Sequence, residues 1–168
     1  MTSRDPTAEP GRWVPLHDLL AAVDADIEAV YESRGIQGLR PRFAYPLIRL
    51  AHTGPLSIGE LAASLNRSHS ATSQTLSALR RQGLGELEPG ADARTRRITL
   101  TERGRALVPF LEAEWRATEE AVAELDDEVP YAMSAVVEHL RRALARKPMR
   151  ERILERLADE DAPAESPR

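Results

Sequence analysis

Residues 57–101 read SIGELAASLNRSHSATSQTLSALRRQGLGELEPGADARTRRITLT, and this stretch decides the fold. Ser57 with Glu60 three residues on is a capping box, flanked by Leu56 and Leu61 as a hydrophobic staple. A helix therefore starts there, turns Leu61, Ala62 and Leu65 inward and stops near Asn66. Ser68 can cap a second helix. Its Thr72, Leu76 and Leu79 share one face, and Gly83 closes it. Two strand-like segments, 85–88 and 96–100, then flank Pro89-Gly90-Ala91-Asp92-Ala93-Arg94. The order is helix, turn, helix, wing. In such an arrangement the first helix supports, the second can enter a major groove, and the wing can reach the neighbouring minor groove or backbone.

The second helix carries Ser68, His69, Ser70, Ser73, Gln74 and Ser77 on the side opposite Thr72, Leu76 and Leu79. Gln can pair with adenine at two points, and Ser exchanges hydrogen bonds with either bases or phosphates. An ordinary solvated helix face accounts for the same residues. Arg80 and Arg81 end the helix, where they either meet the DNA backbone or complement the negative end of the helix dipole. Arg40 and Arg42 open an earlier helix and are further backbone candidates. In the wing, Arg94 suits a narrow, electronegative minor groove. Asp92 two residues earlier can hold Arg94 through a charge-assisted bond. Arg96 and Arg97 are also wing candidates, but alternation sends neighbours on a strand to opposite faces.

Charge distribution agrees with that reading better than net charge does. The chain carries −4 overall, yet residues 35–105 hold eleven Arg against five acids, giving +6 there and −10 elsewhere. This suggests a basic face on an acidic body. Cysteine is absent, which excludes disulfides, thiolate metal sites and cysteine-based peroxide sensing. The four His are scattered with no ligand spacing, so neither a metal nor another cofactor is expected. No phosphate loop, dinucleotide fingerprint or nucleophile elbow occurs, so an enzyme is not expected either. No apolar run approaches a membrane span, and the start lacks a signal-peptide pattern; no membrane partner and a cytoplasmic location are the expectations.

Working outward, almost everything else reads helical. A first helix over residues 15–34 repeats Leu16, Leu19, Leu20, Val23, Ile27, Val30 and Tyr31 at three- and four-residue steps, ended by Gly35 and Gly38. A second covers 41–52 with Phe43, Leu47, Leu50 and Ala51 inward, and Pro46 predicts a kink or a late start. Thr101 caps a long helix to about residue 125, striped by Leu107, Leu111, Trp115, Val122 and Leu125. Another spans 130–146 with Met133, Val136, Val137, Leu140 and Leu144, broken by Pro148. The terminal stripes exceed what a lone winged helix needs. Either they cover their own core, or they pack against a two-fold copy that would present two reading heads to an inverted repeat.

Two segments carry a resemblance: GPLSIGELAASLNRSHSATSQTLSALRRQGL and DARTRRITLTERG. They resemble the MarR family of winged-helix regulators, whose wing shows Asp-x-Arg followed by a Leu-Thr-x-x-Gly helix start. Asp92, Arg94, Leu100, Thr101 and Gly104 match it, and the likeness covers roughly residues 16–146. It implies a bacterial transcriptional regulator, usually a repressor, often released by a small aromatic or lipophilic ligand. It implies a triangular homodimer joined by its terminal helices and bound to a palindromic operator in double-stranded DNA. Ser70, Ser73 and Gln74 match the family's groove-facing positions, and Arg94 its minor-groove arginine. The family's effector cleft lies between the first, second and fifth helices, which makes Tyr31, Tyr45, Arg49, His52 and Trp115 the ligand candidates. Three features depart from the pattern: Pro46 in a helix bordering that cleft, a segment continuing past Pro148, and the lack of cysteine.

The expected fold is thus mainly α with a small β-wing, a winged helix-turn-helix flanked by N- and C-terminal dimerisation helices. Residues 1–14 form a flexible segment. Residues 15–147 form the winged-helix domain, with the DNA-reading unit at 41–101 and dimerisation helices at 15–34 and 102–147. Residues 148–168 form a short terminal helix and a disordered tail. The competing function is a winged-helix module that docks proteins without specific DNA reading.

Overall fold

The computed structural model describes residues 5–90 and 96–161, with side chains as far as residue 158. Asp92 and Arg94, the wing-tip candidates, lie outside the described residues.

Residues Met1–Trp115 form one unit. Its elements run α1 (Val14–Ser33), α2 (Pro41–Thr53), β1 (Leu56–Ser57), α3 (Ile58–Ser64), α4 (His69–Arg81), β2 (Gly85–Pro89), β3 (Arg96–Leu100) and the first half of α5 (Glu102–Glu128). The helix starts follow from their caps. The Ser57 hydroxyl accepts from the Glu60 amide at 3.2 Å while the Glu60 carboxylate accepts from the Ser57 amide at 2.7 Å. Ser68 accepts from the Ala71 amide, and Thr101 from the Gly104 amide, at 3.2 and 3.1 Å. Each cap satisfies donors that a helix start otherwise leaves unpaired.

The sheet has the order β1-β3-β2, antiparallel throughout. Leu56 lies opposite Ile98 on one side of β3, and Leu87 opposite Ile98 on the other. Strand β1 went unanticipated, because two residues carry no period. Alternation along β3 buries Ile98 and Leu100. They join Leu47, Leu61, Leu79 and Leu111 in one core, all fully enclosed or nearly so.

For α2 one of two alternatives falls away and one inward assignment is corrected. The helix begins at Pro41 and runs through Pro46, so there is no late start. Pro46 has no N–H, which leaves the Arg42 carbonyl without its usual partner four residues on. The buried face is Phe43, Ala44, Pro46, Leu47 and Leu50, whereas Ala51 is exposed. Ala51 shares the face of Leu47, but it sits in the last turns of α2, where it borders an open hollow with Leu50, Gly54 and Pro55 instead of packed side chains.

Residues Arg116–Arg168 form a second unit, holding the rest of α5, α6 (Met133–Arg146) and α7 (Met149–Asp161). Helix α6 starts at Met133 rather than residue 130. The Asp126 carboxylate, seven residues back, accepts from the Met133 amide at 2.9 Å and caps it. Pro148 breaks the chain as expected. The corner is fastened by Arg152, whose guanidinium donates to the carbonyls of Lys147 and Ala143 at 3.0 and 3.1 Å. Lys147 also pairs with Glu155. No residue with a described side chain between 116 and 158 is buried.

Candidate nucleic-acid interface

Helix α4 divides cleanly. Thr72, Thr75, Leu76, Ala78 and Leu79 are buried. The two buried threonines return their hydroxyls to the helix: Thr72 donates to the Ser68 carbonyl and Thr75 to the Ala71 carbonyl, both at 3.0 Å. Their polarity is therefore used up internally. Ser70, Gln74, Ser77 and Arg81 stand exposed at steps of four, three and four, which puts them in one strip along the helix. His69 and Arg80 are exposed beside that strip, and Ser73 is half-buried at its edge. Ser68 is exposed, but its hydroxyl is already the cap acceptor.

The basic candidates separate into free and engaged groups. Arg80 on α4 and Arg96 on β3 line one hollow of about 560 Å³ together with Gly85, Glu86 and Leu87. This places two exposed guanidiniums where the end of α4 meets the wing strands. Arg42 is exposed, with its guanidinium 5.3 Å from the centre of the Phe43 ring. Arg40 is engaged: its Nη1 donates to both carboxylate oxygens of Glu28 at 2.7 and 2.6 Å. That pair raises the Arg40 pKa further. Arg97 is engaged too. It is half-buried, it donates to the Pro55 carbonyl, and its Nε lies buried with no partner among the described residues. Arg40 and Arg97 therefore act first as internal ties, between α1 and the start of α2 and between β3 and the turn before β1. Of the adjacent wing arginines, Arg96 is the solvent-facing one.

Sequence reasoning passed over several residues that shape this surface. Arg67 is exposed in the turn between α3 and α4, directly before the Ser68 cap and after Asn66, whose φ is 50°. Its position one residue ahead of a recognisable cap was the available signal. The far end of α4 is held by groups from elsewhere. The Gln82 side chain donates to the Gly38 carbonyl, Arg103 to the Gln82 carbonyl at 3.0 Å, and Thr101 to the Gly83 carbonyl at 2.7 Å. Gly104 lies so close that an added Cβ would come within 2.1 Å of the Leu84 carbonyl oxygen. Only glycine lets the first turn of α5 approach the end of α4 in this way.

The ligand candidates do not form one set. Tyr45 and Trp115 stack at a tilt with ring centres 5.3 Å apart, and Arg49 donates to the Tyr45 hydroxyl at 3.2 Å. The Arg49 Nε is buried and has no partner among the described residues. Tyr31 is buried in the core, edge-on to Phe110 at 5.8 Å, and donates to Glu114 at 3.1 Å. Burial, first, and then Glu114 raise its phenol above the ordinary value. His52 pairs instead with Glu112 at 2.6 Å. A cavity of about 400 Å³ beside that pair is lined by Leu50, Pro55, Leu100, Arg105, Val108 and Glu112, among others.

A capped support helix, a second helix with a polar exposed strip, and a three-stranded sheet ending in a wing define a winged helix-turn-helix. Solved structures place it more closely. The fold is like that of MepR from S. aureus, a structure of a DNA complex, at 19% identity over 81% of this chain and 99% of that one, with a TM-score of 0.59. It is also like a MarR protein from Peptoclostridium difficile, at 16% identity over 87% and 93% of the two chains, TM-score 0.54. MosR from M. tuberculosis, solved in complex with DNA, matches at 21% identity over 86% and 98%, TM-score 0.51. The fold is thus the MarR-like winged helix that the wing motif implied. No family's sequence profile matches the chain, and neither does any curated protein. Among the described residues no helix is long and apolar enough to cross a membrane.

Proposed function

We propose that the chain is a sequence-specific DNA-binding transcriptional regulator of MarR type. The carrying observation is the exposed strip Ser70-Gln74-Ser77-Arg81 on a helix whose other face is fully buried, beside the guanidiniums of Arg80 and Arg96. Small hydroxyls let such a helix approach base edges closely, and the amide of Gln74 can contact adenine at two points. The flanking arginines then supply backbone contacts. The structures of MepR and MosR with DNA support the same use of this fold.

The regulator acts as a homodimer on a palindromic operator. In support, no described side chain of residues 116–158 is fully buried, while the part-exposed Val136, Val137, Leu140 and Leu144 repeat along α6. A stripe of that kind requires a partner surface. It is a repressor released by a small aromatic or lipophilic ligand. Support for the ligand is the grouping of two partly exposed rings, Tyr45 and Trp115, with the Arg49 guanidinium beside them, which suits a flat molecule bearing an acceptor. Arg94 serves as the minor-groove arginine, with Asp92 holding it.

A mobility-shift titration against the gene's own upstream region, at several salt concentrations, tests the reading. Tight binding to a palindrome, falling steeply with salt, is the expected result. Salt-dependent binding with no sequence preference would make the protein an architectural one. No binding at all would favour a protein-docking module.

A further inference from the structure

The short segment joining α1 to α2 is gripped from both sides. Arg40, the last residue before α2, is held by Glu28 of α1 through two contacts at 2.7 and 2.6 Å. Two residues earlier, the Gly38 carbonyl accepts from the side chain of Gln82, which ends α4. Leu39 between them is buried in the core. Gln82 is tied on its other side as well, because its carbonyl accepts from Arg103 at the start of α5. The chain of contacts therefore runs from α1 through Glu28, Arg40 and Gly38 to the end of α4. Planar peptide units and one anchored side chain leave residues 38–40 little freedom to absorb a displacement.

We propose that Glu28, Arg40 and Gln82 are positioning residues for the reading helix. The ion pair sets the 38–40 segment, and that segment sets the end of α4 through Gln82. This gives α1 an influence on DNA binding without touching DNA, and it gives Arg40 a role other than phosphate contact. The consequence for DNA rests on α4 being the reading helix, as proposed above; the contact chain itself does not. The outer link is open to solvent, for a cavity of about 420 Å³ is lined by Asp24, Glu28, Arg40 and Arg42, among others. The Arg40 side chain is 55% exposed and Glu28 27%. Pairs this accessible are weak, so the relay biases the helix rather than locking it.

Amide hydrogen exchange on the full chain, without DNA, tests the relay. The amides of Gln82 and Leu84, bonded to the Ala78 and Leu79 carbonyls, report on the end of α4. Glu28→Gln and Arg40→Ala should each speed exchange there roughly two- to five-fold, the range expected for losing an exposed pair. Amides in α3 should not change, which separates the effect from general unfolding. Arg40→Lys should restore most of the protection. Gln82→Ala should match the Glu28→Gln effect, and the double variant should add nothing. The same variants should lose operator affinity by a similar factor while keeping non-specific affinity. If Glu28→Gln leaves residues 82–84 unchanged while Gln82→Ala loosens them, or if the two effects add, the relay is overturned. Absence of DNA binding in every variant and in the parent protein would instead count against the regulator reading, since exchange needs no DNA.

Discussion

In the proposed reading, base recognition turns on Gln74. It sits in the middle of the exposed strip, with Ser70 and Ser77 on either side and no protein partner of its own among the described residues. Gln74→Ala should relax preference at one base pair, with a loss on the order of 1–3 kcal/mol for the preferred base and unchanged affinity for random DNA. Fluorescence anisotropy over a panel of single-base operator variants measures this. Uniform weakening across the panel would mean that Gln74 contacts the backbone. The neighbouring arginines of β3 make a second, paired case. Arg97 reaches back to the Pro55 carbonyl, while Arg96 faces the hollow shared with Arg80. Arg97→Ala should lower stability by about 1 kcal/mol, the typical worth of a lost hydrogen bond, and leave the salt dependence of binding alone. Arg96→Ala should leave the melting temperature alone and reduce the slope of log affinity against log salt by about one. Exchanged outcomes for the two variants would reverse their assignment.

Among the elements, α3 contributes to the pH response through its N-terminal cap. Its Glu60 carboxylate accepts from the Ser57 amide, and that bond is the main reason its pKa is lowered from the ordinary 4.5; the nearby Arg97 charge adds to it. A group whose folded pKa is depressed stabilises the fold at pH above the unfolded value and loses that contribution as pH falls through the folded one. Stability should therefore decline as pH falls below the ordinary 4.5, with a share traceable to this cap, and Glu60→Gln should remove that share. Urea midpoints taken across the range test it; an unchanged slope in Glu60→Gln would assign the decline to other carboxylates. This cap was readable in the sequence because its parts sit three residues apart, as was the Ser68 cap and the Gly83 stop. The start of α6 was not, since its capping carboxylate, Asp126, comes from the preceding helix. The engagement of Arg40 and Arg97 was hidden for the same reason: their partners lie 12 and 42 residues away. Residue type shows that a charge exists; only the packed chain shows which neighbour holds it. The polar strip of α4 was legible because helical spacing alone generates it.

For the whole molecule, the decisive fact is an imbalance between its two units. The first encloses a continuous core from Tyr31 to Leu111. The second has α6 and α7 with Val136, Leu140, Leu144, Ile153, Leu154 and Leu157 each about 40–50% exposed. Helices stabilised mainly by packing of an apolar face do not persist when that face meets water. Self-association supplies the missing surface in the proposed dimer, and stability then depends on concentration. The melting temperature should rise with protein concentration. Leu140→Glu, which puts a carboxylate in the middle of the α6 stripe, should shift the protein to monomer in sedimentation velocity. Because α4 lies wholly in the first unit, that variant should keep its core and its reading surface. It should still bind a half-site weakly, yet lose the gain that comes from occupying two half-sites at once, so that affinities for half and full operators converge. A variant that stays dimeric, or a monomer that still prefers the full operator, would place the pairing surface elsewhere on the chain.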